Sequence, residues 1–142
     1  MTDIVTLTAD NAGLLDTVAP DVFDHAIDPA QLAAFLDDPR HVMVLAVADG
    51  TVVGMASAVE YFHPDKMPQL WINEVGVAPT HRRLGIGRRL VQALIDLAEV
   101  RGCTYAWLGT ENDNVSGKAC FSSVPEGEPP QPFLLYEWDL ED

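Results

Sequence analysis

Four of the eight Lys and Arg residues in this 142-residue chain, Arg82, Arg83, Arg88 and Arg89, fall within eight positions. They lie in the segment Val75-Gly76-Val77-Ala78-Pro79-Thr80-His81-Arg82-Arg83-Leu84-Gly85-Ile86-Gly87-Arg88-Arg89-Leu90. An apolar stretch turns there through a proline and enters a long helical pattern past Gly85 and Gly87. The first turn of a helix offers backbone N–H groups without intrahelical acceptors and a partial positive charge, which suits an anion. Glycines let phosphate oxygens approach the backbone, and arginines add charge-assisted hydrogen bonds. Two other phosphate loops do not fit. The dinucleotide pattern needs a third glycine where Leu90 stands, and the Gly-Lys-Ser/Thr of a P-loop is absent. The expected chemistry is the local capture of one anionic ligand.

Against these cations stand 22 Asp and Glu, for a formal net charge of −14. Such a field repels phosphate backbones, so no nucleic-acid partner is expected. The acidity would attract a cationic substrate or keep the chain soluble, and charge alone leaves both readings open. No run approaches the apolar length of a membrane span, so no membrane partner is expected. Met1-Thr2-Asp3-Ile4 lacks the basic start of a signal peptide, which makes a cytoplasmic location the expectation. Cys103 and Cys120 have no metal spacing and are expected as buried thiols rather than a disulfide. The four histidines are scattered, so no metal site is expected.

The elements that must position the basic turn follow from pattern. Ile4 to Thr8 alternates as a strand, and Ala9 to Val18 has helical spacing ended by Pro20. Asp28 as N-cap and Pro29 at the first position begin a short helix through Asp37. Val42 to Ala48 and Val52 to Phe62 are strands joined at Asp49-Gly50. Leu70 to Val77 is the next strand, and Leu84 to Val100 the longest helix, with Leu90, Leu94 and Leu97 inward and Gly102 as its stop. Tyr105 to Leu108 is a strand, Val115 to Ser123 a short helix, and Phe133 to Leu140 a last strand after the proline-rich loop Val124 to Pro132. Trp71, Trp107 and Trp138 lie on expected strands and read as core before substrate platform. The order predicts one domain, 1–142, with a mixed sheet and packed helices.

Arg82-Arg83-Leu84-Gly85-Ile86-Gly87 resembles the Arg/Gln-x-x-Gly-x-Gly/Ala signature of the GNAT acetyltransferases. The resemblance implies an α/β (α+β) fold with a central, mostly antiparallel sheet, splayed between Leu70–Val77 and Tyr105–Leu108, and helices on both faces. It implies acetyl-coenzyme A as cosubstrate, its pyrophosphate on the turn from Arg82 through Arg83, Leu84, Gly85, Ile86, Gly87 and Arg88. Backbone of Val75, Gly76 and Val77 would pair with the pantetheine arm. Glu111 to Phe121 looks like the family's second coenzyme segment, with Asn114, Lys118 and Phe121 as contacts. Where relatives commonly carry a tyrosine as proton donor this chain has Phe121, which has no hydroxyl.

A narrower resemblance joins Val22-Phe23-Asp24, His63-Pro64-Asp65-Lys66, Gly109-Thr110-Glu111-Asn112-Asp113-Asn114 and Tyr136-Glu137-Trp138-Asp139-Leu140 to aminoglycoside 3-N-acetyltransferases. It implies a small polycationic amine substrate, an aminoglycoside at its 3-amine, and a homodimer. An amine near the lysine pKa loses its proton at neutral pH at a cost of about 4–5 kcal/mol, so a nearby carboxylate is expected as base. Glu74, on the strand before the turn, is the first candidate, followed by Asp139, with Tyr136 as a substitute acid. Asp24, Glu111, Asp113, Glu137 and Asp139 would bind the cationic substrate. A polyamine or protein amine acceptor, or an acyl-coenzyme A binder without catalysis, are the alternatives.

Overall fold

The computed structural model describes residues 1–141. Five strands form one sheet in the order β1-β2-β3-β4-β5: β1 Thr2–Thr6, β2 His41–Ala48, β3 Thr51–His63, β4 Lys66–Val77 and β5 Tyr105–Trp107. Neighbours are antiparallel except β4 and β5, which run parallel. Three helices accompany the sheet, α1 Pro29–Asp37, α2 Ile86–Val100 and α3 Val115–Ser122. This is the mixed, mostly antiparallel architecture expected from the sequence.

Local chemistry sets most boundaries. Asp49 (φ 50°) and Gly50 (φ 76°) both take positive φ, as a tight two-residue hairpin between β2 and β3 demands. The Asp28 carboxylate accepts from the N–H groups of Ala30 (2.9 Å) and Gln31 (3.2 Å), and Pro29 opens α1. Gly102 (φ 82°) ends α2, and the Cys103 N–H turns back to the Ala98 carbonyl at 2.9 Å.

Helix α2 buries Ile86, Leu90, Val91, Leu94 and Ala98, one stripe at helical spacing, against the middle of the sheet. Leu45, Leu70, Leu90, Leu94, Val52 and Val53 are the largest fully buried side chains. At the far end of α2, Arg101 donates to Glu60 Oε1 (3.0 Å) and to the Pro39 carbonyl (2.9 Å), fastening the helix to β3 and the approach to β2. Two glycines show that both faces are covered. A Cβ on Gly54 would lie 3.2 Å from Leu90 and 3.3 Å from Ile86, whereas one on Gly76 would collide with the Val22 carbonyl. Gly54 and Gly76 lie in adjacent cross-strand pairs, which project to opposite faces, so the segment around Val22 covers the face that α2 does not.

Three expectations need correction. The helix expected over Ala9 to Val18 is a single 3-10 turn, Ala12–Asp16; Asn11 ties the preceding chain down through Thr8 N–H and the Thr6 carbonyl, and Val18 bridges to Val52. The last strand, Phe133 to Leu140, does not form, and its side chains, those of Tyr136, Glu137 and Asp139 included, are exposed. Four prolines between 125 and 132 remove N–H donors from its approach, and among the described residues no backbone hydrogen bond joins it to a strand. Cys103 and Cys120 are free thiols as expected, but half-buried rather than buried.

Candidate functional site

The register of β4 creates the central feature. Its residues 69–71 pair with 105–107 of β5, and beyond Trp71 no pairing on that side continues. On its other edge β4 stays bonded to β3 through Val75↔Ala56, Gly76↔Met55 and Val77↔Gly54. The outer edge of residues 72–77 is therefore an unpaired row of backbone donors and acceptors at the mouth of a gap between β4 and β5. This is the splay that the family resemblance implies.

Val77 leads straight into the basic turn. A 3-10 turn, Pro79–His81, is followed by Arg83 at φ 63° and Gly85 at φ 78°, and α2 begins at Ile86. Gly85 caps the helix in the left-handed conformation without any side-chain bond, so its glycine is required by φ. Within the described residues the N–H groups of Arg83, Leu84 and Gly85 donate to nothing, and those of Ile86, Gly87 and Arg88 form the first turn, where no intrahelical acceptor exists. Six consecutive amides are thus available to an anion.

The arginines divide into two groups. Arg82 Nε reaches back to the Val77 carbonyl at 3.4 Å, and Arg89 donates to the Thr2 carbonyl at 2.9 Å, so both are partly spent on structure. Arg83 and Arg88 make no hydrogen bond among the described residues. Gly87 has a different role from that of Gly85. A Cβ there would lie 2.8 Å from Cys120 Sγ, so its small size lets α3 close on α2.

Glu74 stands on β4 directly opposite Ser57, on the face covered by the Val22 segment. Its carboxyl still meets solvent, yet its pKa is raised, first by partial desolvation and then by the neighbouring negative charge of Asp24. Gly76 explains the pairing of these acids. Only a residue without Cβ lets the Val22 carbonyl rest on β4, and Asp24 follows two residues later.

The same face holds polar and aromatic groups that sequence reading did not assign to the site. Ser57 donates to Asn73 Oδ1 at 2.9 Å, beside Glu74. Further along, the Trp71 and Trp107 rings stack with centroids 5.6 Å apart and 16° between planes. Trp107 Nε1 donates to the Tyr61 hydroxyl (2.7 Å), which donates to Gln69 Oε1 (2.9 Å). A serine in an otherwise apolar run of β3 was the available signal for the first of these groups.

The remaining expected residues are less concentrated. Asn114 is the N-cap of α3, accepting from Gly117 N–H at 3.0 Å and donating to Thr110 Oγ1 at 2.9 Å, so its amide is occupied. Lys118 folds onto the Asn112 carbonyl at 3.0 Å. Phe121 is half-buried against the core. Glu111 and Asp113 are exposed on the loop between β5 and α3. Tyr136, Glu137 and Asp139 are not brought to Glu74; the Asp139 carboxylate instead accepts from the Glu141 N–H at 3.0 Å. No group of three or more potential metal ligands occurs among the described residues, and no helix described is long and apolar enough to cross a membrane.

The model of the acetyltransferase (GNAT) family matches residues 10–123. The chain belongs to the GNAT acetyltransferase family.

Within this family, a streptothricin acetyltransferase of Streptomyces lavendulae is 38% identical over 78 residues, 55% of this chain and 40% of that protein. An N-alpha-acetyltransferase RimI of Mycobacterium tuberculosis (strain ATCC 25618 / H37Rv) is 35% identical over 89 residues, 61% of this chain and 55% of that protein. The chain thus spans about half or less of the length of these curated relatives. Among solved structures, the aminoglycoside acetyltransferase meta-AAC0020 from an uncultured soil metagenomic sample superposes with a TM-score of 0.75 at 16% identity, covering 97% of both chains. AAC(6')-Iy in complex with a bisubstrate analogue of coenzyme A and acetylneamine gives 0.74 at 18% identity, covering 98% of this chain and 99% of that one. At such identities these likenesses are of fold.

Proposed function

We propose that this chain transfers acetyl from acetyl-coenzyme A to an amine of a small polycationic acceptor. The observation that carries the reading is the continuity of the unpaired β4 edge, residues 72–77, with the free amides of residues 83–88. A pyrophosphate fits the second, with Arg83 and Arg88 beside it, and an extended amide-bearing arm fits the first as an added strand. The cosubstrate supplies an activated acyl group as a thioester.

The chain's own residues align the acceptor and take its proton. Bringing two bound reactants into register supplies much of a rate enhancement without further chemistry. Glu74 faces the side where an acceptor would enter, and its raised pKa makes it a better proton acceptor than an ordinary exposed carboxylate. Asp24 beside it adds a second negative charge for an acceptor with more than one ammonium. Phe121 supplies no hydroxyl, so the thiolate leaves with a proton from water or departs unprotonated.

Aminoglycosides are the acceptor class we favour, with the 3-amine as the position the sequence motifs imply. Support comes from the acidic composition, the Glu74–Asp24 pair and the fold shared with aminoglycoside acetyltransferases. The test is thiol release with acetyl-coenzyme A across aminoglycosides, polyamines and peptide amines, with product mass and position assigned by mass spectrometry and NMR. Acetylation at the 3-amine of an aminoglycoside is expected. Turnover only with polyamines or peptides would replace the acceptor class, and affinity for acetyl-coenzyme A without turnover on any amine would leave a binding module. Glu74→Gln is expected to lower kcat tenfold or more.

A further inference from the structure

Trp71 and Trp107 are large apolar side chains without a place in the core. Neither is among the residues that form the hydrophobic core or pack against it, and Trp71 is 39% exposed. Their rings stack with centroids 5.6 Å apart and planes 16° from parallel, which makes one flat aromatic surface, open at Trp71. The surface is also held in place. The Tyr61 hydroxyl accepts from Trp107 Nε1 at 2.7 Å and donates to Gln69 Oε1 at 2.9 Å, so the orientation of the inner ring is fixed. An apolar surface fixed by hydrogen bonds and left open suits a ligand.

A β-bulge brings this surface to Glu74. Ser57 pairs with Glu74 and the next residue, Ala58, with Ile72, so Asn73 is an extra residue in β4. Side chains three positions apart on a regular strand point to opposite faces. The extra residue reverses that outcome. Glu74 opposite Ser57 and Trp71 opposite Val59 share one face, and Trp107, the parallel partner of Trp71, joins them. Three steps of strand set Trp71 about 10 Å from Glu74.

We infer that the Trp71–Trp107 pair holds a saturated, amino-substituted ring of the acceptor that does not itself react, while an amine on an adjoining ring reaches Glu74. The inference rests on the acetyl-transfer reading and narrows its acceptor to molecules of at least two linked rings. The C–H groups on one face of such a ring meet the negative π face of an indole, and an ammonium at the ring edge adds a cation–π attraction. Glu74 and Asp24 supply the opposite charge on the same side of the sheet. One six-membered ring is too short to touch both Trp71 and Glu74, whereas two linked rings span them. A linear polyamine offers the charge without a ring face. A nucleotide offers a flat ring but brings its phosphates toward two carboxylates.

The experiment is tryptophan fluorescence of the Trp138→Phe chain, in which Trp71 and Trp107 are the only tryptophans. It is titrated with neamine, which has two linked rings, with the single ring 2-deoxystreptamine, and with spermine, which has as many amines as neamine and no ring. Neamine is expected to change the emission and to bind about tenfold more tightly than either of the others. Trp71→Leu keeps apolar bulk and removes the π face. Calorimetry on that variant, with its helix content checked by circular dichroism, should show neamine weakened about tenfold and spermine within about twofold, and Trp71→Phe should restore most of the neamine affinity. Unchanged emission with neamine, equal affinity for neamine and spermine, or equal losses of both in Trp71→Leu would each overturn the inference. Binding is read without turnover, so the two readings fail separately. Neamine bound at the pair without acetyl transfer removes the reaction and keeps the ring site, whereas transfer to spermine alone keeps the reaction and removes the ring site.

Discussion

The contact between Gly87 and Cys120 allows a quantitative test of why a glycine opens α2. Gly87 takes no positive φ, so its backbone is open to alanine, and within a helix alanine is favoured by roughly 0.5–1 kcal/mol. Opposing this, the new Cβ would sit 2.8 Å from Cys120 Sγ, and overpacking of this kind typically costs about 1–3 kcal/mol. Gly87→Ala alone should therefore destabilise by about 0–2 kcal/mol. Removing the sulfur reverses the sign. In a Cys120→Ala background the obstruction is gone, and Gly87→Ala should stabilise by up to about 1 kcal/mol. Urea unfolding of the four proteins gives the coupling directly, expected at about 1–3 kcal/mol. Equal effects of Gly87→Ala in the two backgrounds would refute packing against α3 as the reason for this glycine. Coenzyme A affinity measured on the same set separates the other explanation. If close phosphate approach demanded Gly87, affinity would fall in both backgrounds alike, with no rescue by Cys120→Ala.

Asp24→Asn removes one of the two causes that raise the Glu74 pKa. With Glu74 as base, activity rises as it ionises, so the acid limb of kcat/KM should move to lower pH in the variant; a shift upward would contradict the pairing. Arg88→Ala should raise the KM for acetyl-coenzyme A about tenfold, the worth of one charge-assisted hydrogen bond at its lower end. Arg89→Ala, whose guanidinium is held by the Thr2 carbonyl, should leave that KM within about twofold. Asn114→Ala should cost about 1 kcal/mol of stability through loss of the α3 cap, read by urea unfolding.

Much of the site was legible because its signals are local. The Asp28-Pro29 start, the Asp49-Gly50 turn and the Leu90/Leu94 stripe each depend on a few neighbouring residues, and all three formed where expected. The basic turn was legible for the same reason, since a helix N-terminus, left-handed Gly85 and clustered arginines are properties of one short segment. Residues judged by type alone carry structural duties that the sequence did not show: Asn114, expected as a ligand contact, also caps a helix, and Gly87, expected at the phosphate turn, also packs on Cys120.

What only the tertiary structure decided is which distant segments meet. The sequence by itself determined a chain whose strands and helices follow one another as in a mixed sheet, a long amphipathic helix and a basic, glycine-containing turn at its start. It did not reveal that β5 pairs with β4 over just three residues, leaving 72–77 unpaired, because register is set by cross-strand packing. Nor did it reveal that Gly76 seats the Val22 carbonyl and so brings Asp24 to Glu74, residues far apart in the sequence. The apolar pattern of Phe133 to Leu140 conveys a preference for extended chain, but a strand exists only when another edge satisfies its backbone. Among the described residues no edge does so, since hydrogen bonding between strands belongs to the pair and not to either sequence alone.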